Sequence, residues 1–202
     1  MSTHELRVFL ATWLRSPRTV GAIWPSGEGL ARAMAAQVDP SEPGLVVELG
    51  AGTGVVTRAL LARGLPASRL LVVERDPAFC RLLRRHFPRV TVLEEDAGHL
   101  RRALASRPRV VVSSVVSSLP LLALPFTSQR EIVRESASIL VPGGRFVQFT
   151  YGPGSPVHPA LVRRLGLSGR AVARVWRNLP PAAIWRYTTR RAAGAQGRRL
   201  AA

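Results

Sequence analysis

Between residues 45 and 150 short apolar runs rich in Val and Leu alternate with amphipathic runs, a pattern that predicts a mostly parallel α/β sheet. LVVEL (45–49) reads as a first strand, and a glycine turn leads from it into a helix from Thr53 to Arg63. LLVVE (70–74) is a second strand. Asp76 and Pro77 then open a helix through Arg85, a capping carboxylate followed by proline at the first helical position. VTVLEE (90–95), a helix over 98–106, RVVVSSVV (109–116), a helix over 128–140 and RFVQFTY (145–151) continue the series. Past Gly152 the helical signal weakens. GRAVARVWRNL (169–179) and AIWRYTTRR (183–191) predict two final strands around Pro180 and Pro181. The expected fold is one α/β domain with a seven-stranded sheet flanked by helices.

The uncharged stretch VVVSSVVSSLPLLALPFTSQ (110–129) is about long enough to cross a bilayer. Pro120 and Pro125 would break a spanning helix, and its serines add polar cost. Val-rich residues 110–116 instead match a strand buried on both faces. The following SSLPLLALP then lies at that strand's carboxyl end, the edge where open α/β sheets bind ligands.

A second pattern lies at the N-terminus. In HELRVFLATWLR (4–15), Leu6, Phe9, Leu10, Trp13 and Leu14 form one apolar helical stripe edged by Arg7 and Arg15, and Pro17 ends the run. The stripe suits either packing on the domain's own core or an interfacial helix lying on a membrane. The expected organisation is an amphipathic helix over 1–16, a folded domain over 17–191 and a basic tail over 192–202.

Charge sharpens the choice of partner. The 29 basic residues are all arginine, against 12 acidic residues, for a net charge of +17. Such an excess attracts a polyanion, either nucleic acid or an acidic membrane surface. Cys80 is the sole cysteine, which excludes an intramolecular disulfide and fits a reducing compartment. The first residues lack the layout of a signal peptide.

VVELGAGTG (46–54) carries the chemistry. A dinucleotide fingerprint starting at Gly50 would need a glycine where Val55 stands. The residues present are Glu48, Gly50, Ala51, Gly52, Thr53 and Gly54, with a carboxylate suited to a ligand that bears an ammonium group. Glu74 ends the second strand and is followed by Arg75; Asp96, followed by Ala97, comes after the third. This pattern resembles motif I and its companions in the class I S-adenosylmethionine (SAM)-dependent methyltransferases, which have a Rossmann-like fold. The resemblance implies SAM as cofactor, with Glu48 toward its ammonium, Glu74 toward the ribose hydroxyls and Asp96 toward the adenine amino group. No metal is expected.

After the fourth strand, Ser118, Leu119, Pro120 and Leu121 stand where amine-methylating members of that superfamily hold the target nitrogen, usually with a final aromatic residue. Leu121 cannot stack on a flipped base. The chain is similar to the ribosomal-RNA adenine dimethyltransferases in other respects. Yet VGAIWPSGEGLARAM (20–34), VVSSLPLLALP (115–125), FVQFTYGP (146–153) and VWRNLPPAAIWRY (175–187) resemble the bacterial phospholipid N-methyltransferases more closely. That resemblance implies methylation of phosphatidylethanolamine toward phosphatidylcholine by a monomer that binds no nucleic acid. It also implies a cytoplasmic enzyme, held peripherally on the inner membrane face by anionic lipids such as phosphatidylglycerol and cardiolipin.

The resemblance implies Ser118, Leu119 and Pro120 as the acceptor loop, with Ser117 beside it as a substrate contact. Headgroup chemistry adds Arg177 as the candidate for the lipid phosphate. It also adds Tyr151, at the end of the fifth strand, as a catalytic group beside Ser118 that accepts or relays a proton. Arg177 also fits a solvated position, and Tyr151 a packed one. The general base stays open between His99, His158 and water.

Overall fold

A computed structural model describes residues 25–107, 110–152, 154–176 and 181–190. The expected helix over 1–16 with its Leu6, Phe9, Leu10, Trp13 and Leu14, the tail over 192–202, and Arg177 lie outside them. In chain order the elements are α1 (Pro25–Ala35), β1 (Leu45–Leu49), α2 (Val55–Ala62), β2 (Leu70–Glu74), α3 (Pro77–His86), β3 (Thr91–Glu94), α4 (Leu100–Leu104), β4 (Val112–Ser117), α5 (Phe126–Ile139), β5 (Leu140–Thr150), α6 (Pro159–Arg164), β6 (Leu167–Val175) and β7 (Ala182–Thr189).

The strands form one sheet in the order β3-β2-β1-β4-β5-β7-β6. β1 to β5 pair in parallel, and β7 runs antiparallel between β5 and β6. The order reverses between β1 and β4, which makes their carboxyl ends the crevice where such sheets take ligands.

Alternate residues of each strand feed opposite cores, as a strand's two-residue period requires. Val46, Val72, Val116, Val147 and Ile184 pack with Leu30, Met34, Leu60 and Leu83 on one face. Val47, Leu71, Val115, Phe146 and Tyr187 pack with Leu100, Ile132, Val133 and Leu161 on the other. A sheet covered on both sides explains why its strands read as unbroken apolar runs.

Several boundaries differ from the sequence expectation. The first helix starts at Val55, not Thr53, because Gly54 takes a left-handed φ of 82° and keeps Thr53 in the turn. The expected helix over 98–106 divides into a 3₁₀ turn (Ala97–His99), capped by the Asp96 carboxylate, and the short α4. α5 begins at Phe126 because Pro125 sets its entry, and β5 begins five residues early, at Leu140. α1 and α6 were not expected. In α6 the His158 side chain accepts from Ala160 N–H and Pro159 opens the helix, a cap-then-proline signal obscured by the Gly- and Pro-rich approach.

The uncharged stretch resolves into β4, a 3₁₀ turn (Leu121–Ala123) and the start of α5. Among the described residues no helix is long and apolar enough to cross a membrane.

Candidate active site

The glycine turn sits at the carboxyl end of β1, and its three glycines do different work. Gly50 has φ 66° and donates its N–H to Val73 O at 2.9 Å. A Cβ there would stand 2.4 Å from Leu119 Cδ2, so glycine lets the loop after β4, the expected acceptor loop, close over the turn. Gly54, also left-handed, would drive a Cβ to 2.5 Å from Phe87 Cε2, so it serves packing against α3 and the residue after it. Gly52, at φ 53°, has nothing within 4 Å of where its Cβ would be. Its missing side chain leaves open space in the crevice.

Glu74 ties the turn to β2. Its Oε2 accepts from Gly52 N–H and its Oε1 from Asp76 N–H, both at 3.0 Å. Two backbone donors orient the carboxylate and leave lone pairs on each oxygen for further donors. Asp96 Oδ1 accepts from Gly98 N–H at 2.7 Å, and its Oδ2 lies 4.0 Å from Arg75 Nη1. Ala97 is buried beside it, whereas Arg75 and Thr53 are exposed; Ala51 packs in the first core cluster.

Glu48 is fully buried beneath this turn. Thr57 Oγ1 donates to its Oε2 at 2.7 Å, and Oε1 has no hydrogen-bond partner among the described residues. Burial pushes its carboxyl up to about 7, against the lowering effect of Thr57. A raised carboxyl pKa means that the ligand-free fold holds a proton that the unfolded chain releases above its ordinary 4.5. Stability therefore falls as pH rises through the window between about 4.5 and 7, then levels. Glu48→Gln should be more stable than the parent at pH 8 by up to about 3 kcal/mol and should melt with a flatter pH profile. Equal pH profiles for the two proteins, read by thermal melting without ligand, would contradict this placement.

The loop after β4 starts beside β1. Ser118 N–H donates to Leu49 O at 2.9 Å, and the buried Ser117 Oγ accepts from Leu119 N–H at 3.4 Å. Ser118 Oγ is buried without a partner among the described residues. Pro120 and Leu121 are buried, and Leu121 packs in the second core cluster. Tyr151 follows β5, half-buried, with its ring edge-on to Phe149 at 5.3 Å.

Sequence reasoning missed Gln148. This residue of β5 is fully buried and pairs with Ser117 on one side and Trp185 on the other. Its Nε2 donates to Leu119 O at 2.8 Å and Phe149 O at 2.9 Å, which fixes the amide and leaves Oε1 without a partner among the described residues. A glutamine in the middle of the apolar run RFVQF was the only available signal. Gln148→Leu should free the acceptor loop and cut methyl transfer by roughly a hundredfold, the scale set by an ångström of misplacement. SAM affinity should stay unchanged in calorimetric titration; a parallel loss of both would assign Gln148 to the cofactor side.

A reversed strand order with an open glycine turn at the switch point, carboxylates near the ends of β1 and β2, and an antiparallel seventh strand define a Rossmann-like fold with its ligand edge at that turn. Residues 46–144 match a family model described as a methyltransferase domain. The chain is 34% identical over 181 residues to the ornithine lipid N-methyltransferase of Singulisphaera acidiphila, covering 88% of this chain and 93% of that protein. It is 33% identical over 162 residues to ribosomal RNA small subunit methyltransferase A of a Synechococcus strain, of whose length it spans 53%. Among solved structures, the 1,6-didemethyltoxoflavin N1-methyltransferase of Burkholderia thailandensis superposes with a TM-score of 0.63 at 18% identity, covering 94% of this chain and 91% of that one. The chain belongs to the class I SAM-dependent methyltransferases.

The residues present fit that cofactor. Open space lies at Gly52, a backbone-oriented carboxylate at Glu74 and an unpartnered buried oxygen at Glu48. Among the described residues no group of His, Cys, Asp and Glu is arranged to hold a metal ion.

Proposed function

We propose that the protein methylates the amine of a lipid headgroup, with phosphatidylethanolamine and its methylated intermediates as substrates, toward phosphatidylcholine. The observation that carries this reading is the 34% identity with a lipid N-methyltransferase along 93% of that protein's length. The acceptor loop supports it, since Leu121 is a buried core residue and offers no aromatic face for a base.

When bound, SAM supplies an electrophilic methyl group, and the protein's share is position and electrostatics. Glu74, Gly52 and Glu48 are the residues proposed to hold it, with Asp96 at the edge of the crevice. A neutral headgroup amine needs an acceptor for an N–H and a fixed approach direction. Ser118 Oγ, buried and unpartnered, is proposed as that acceptor. Gln148 restrains the Leu119 carbonyl beside it. Tyr151 is proposed to relay the departing proton, and Arg177 to meet the lipid phosphate. The apolar stripe of residues 4–15 is proposed to lie on the cytoplasmic face of the membrane, drawn there by anionic lipid. Deleting residues 1–15 should remove liposome binding and liposome activity while SAM binding persists; continued sedimentation with acidic liposomes would place the anchor elsewhere.

The experiment that tests the substrate is expression in a bacterium that makes phosphatidylethanolamine but no methylated derivative. Mass spectrometry of the lipid extract should show species heavier by successive methyl groups. An unmethylated phosphatidylethanolamine pool with a methylated ornithine lipid, supplied in the same host, would shift the assignment to that amine. A second reading, RNA methylation, is favoured by the +17 charge and by the ribosomal RNA methyltransferase relatives, though the chain spans only about half of their length.

A further inference from the structure

Arg170 of β6 and Arg186 of β7 stand directly opposite each other in the antiparallel pairing. Like charges set across two strands destabilise a sheet. Arg145 adds a third charge from β5, opposite Thr188 and so one diagonal from Arg186. Arg145 is compensated by an ion pair with Glu42. No hydrogen bond or ion pair ties the Arg170 or Arg186 guanidinium to another described residue. Burial, then Arg170, then Arg145 lower the Arg186 pKa.

Both arginines line an open groove of about 390 Å³, together with Gln37, just past α1, Ala171 and Val172. The register shifts between Ala171 and Ala173, a bulge that inserts Val172 and turns the edge strand locally. Arg186 is paired with Val147, three residues before Thr150 ends β5, which sets the groove roughly 10 Å from the carboxyl edge of the sheet. It is therefore distinct from the glycine turn and the acceptor loop.

We infer that this groove binds a phosphate-bearing anion. Two arginines opposed on one face of the sheet supply planar donor forks of the kind that match phosphate oxygens. An anion between them also removes the repulsion that the bare pair carries. The cavity exceeds a single phosphate and accommodates a glycerol- or sugar-sized group attached to it. The phosphate belongs either to an anionic lipid headgroup or to a soluble phosphate ester. The site does not depend on which substrate the enzyme methylates.

The test uses the full chain and the variants Arg170→Gln and Arg186→Gln in a phosphate-free buffer at fixed ionic strength. Inorganic phosphate and glycerol phosphate should raise the melting temperature of the parent saturably. Each variant should need about tenfold more phosphate for half the shift, the cost of one charge-assisted contact. Without phosphate each variant should melt at or above the parent, since a repulsive pair has been relieved. An equal phosphate response in parent and variants, or variants that melt well below the parent without phosphate, overturns the site.

Co-sedimentation with phosphatidylglycerol and phosphatidylcholine vesicles separates the two sources. If phosphate releases the parent from phosphatidylglycerol and the variants bind those vesicles several-fold more weakly, the lipid headgroup is the ligand. If vesicle binding is the same in all three while the phosphate response is lost, a soluble ester is. Either supports the groove. Loss of RNA retention in the variants, with no phosphate response in the parent, makes it a nucleic-acid surface and ends the proposal.

Discussion

Gly52→Val should abolish SAM binding and leave a folded protein. The three glycines of the turn make this a selective test. A Cβ at Gly50 or Gly54 collides with Leu119 or Phe87, so substitution there damages packing first. Around the place of a Gly52 Cβ no described atom beyond the neighbouring residues lies within 4 Å, so the added side chain grows into the space proposed for the ligand. The cost to the fold is the left-handed backbone, about 1–2 kcal/mol, against a total stability of about 5–15 kcal/mol. Thermal melting should fall by a few degrees while calorimetric titration with SAM shows no heat of binding. Glu74→Ala offers a second route, because it removes the acceptor that orients Gly52 N–H. It should weaken SAM by about 1.5–3 kcal/mol, the range for hydrogen bonds to a charged group. Unchanged SAM affinity in both variants would falsify the cofactor site.

Ser118→Ala should act on the other half of the reaction. The Ser118 hydroxyl is buried and has no partner among the described residues, so the ligand-free fold loses nothing when it is removed. Its backbone N–H, which holds the loop to Leu49 O, is untouched. Stability should be equal or higher by about 1 kcal/mol, the penalty of a buried unsatisfied group. SAM affinity should be unchanged, and methyl transfer should drop by about a hundredfold if the hydroxyl directs the amine. Full activity in the variant would leave the acceptor role to backbone oxygens of the loop. Ser118→Pro is a poorer probe, since it also deletes the bond to Leu49.

The sheet was legible because its strands are covered on both faces, so β1 and β2 appear as LVVEL and LLVVE with boundaries that coincide with the structure. Glu48, Glu74 and Asp96 stood out as carboxylates at or just beyond the ends of such runs. Their surroundings were not legible. Thr57 meets Glu48 because α2 folds back over β1, and Gly52 N–H meets Glu74 across 22 residues of chain. Gln148 reaches Leu119 across 29 residues, through a β4–β5 pairing that local periodicity does not encode. The opposition of Arg170 and Arg186 likewise depends on the β6–β7 register and its bulge. Local pattern fixes which residues lie at an edge; register decides which of them touch.

The most direct measurement of the central claim is transfer of label from methyl-labelled SAM by the full protein. Parallel reactions would contain phosphatidylethanolamine liposomes with phosphatidylglycerol, ornithine-lipid liposomes of the same charge, and total RNA. Label should enter the phosphatidylethanolamine fraction and run as mono-, di- or trimethylated headgroup, with the Ser118→Ala protein as the low-activity control. Label confined to the RNA fraction, with every lipid fraction blank, would contradict the account.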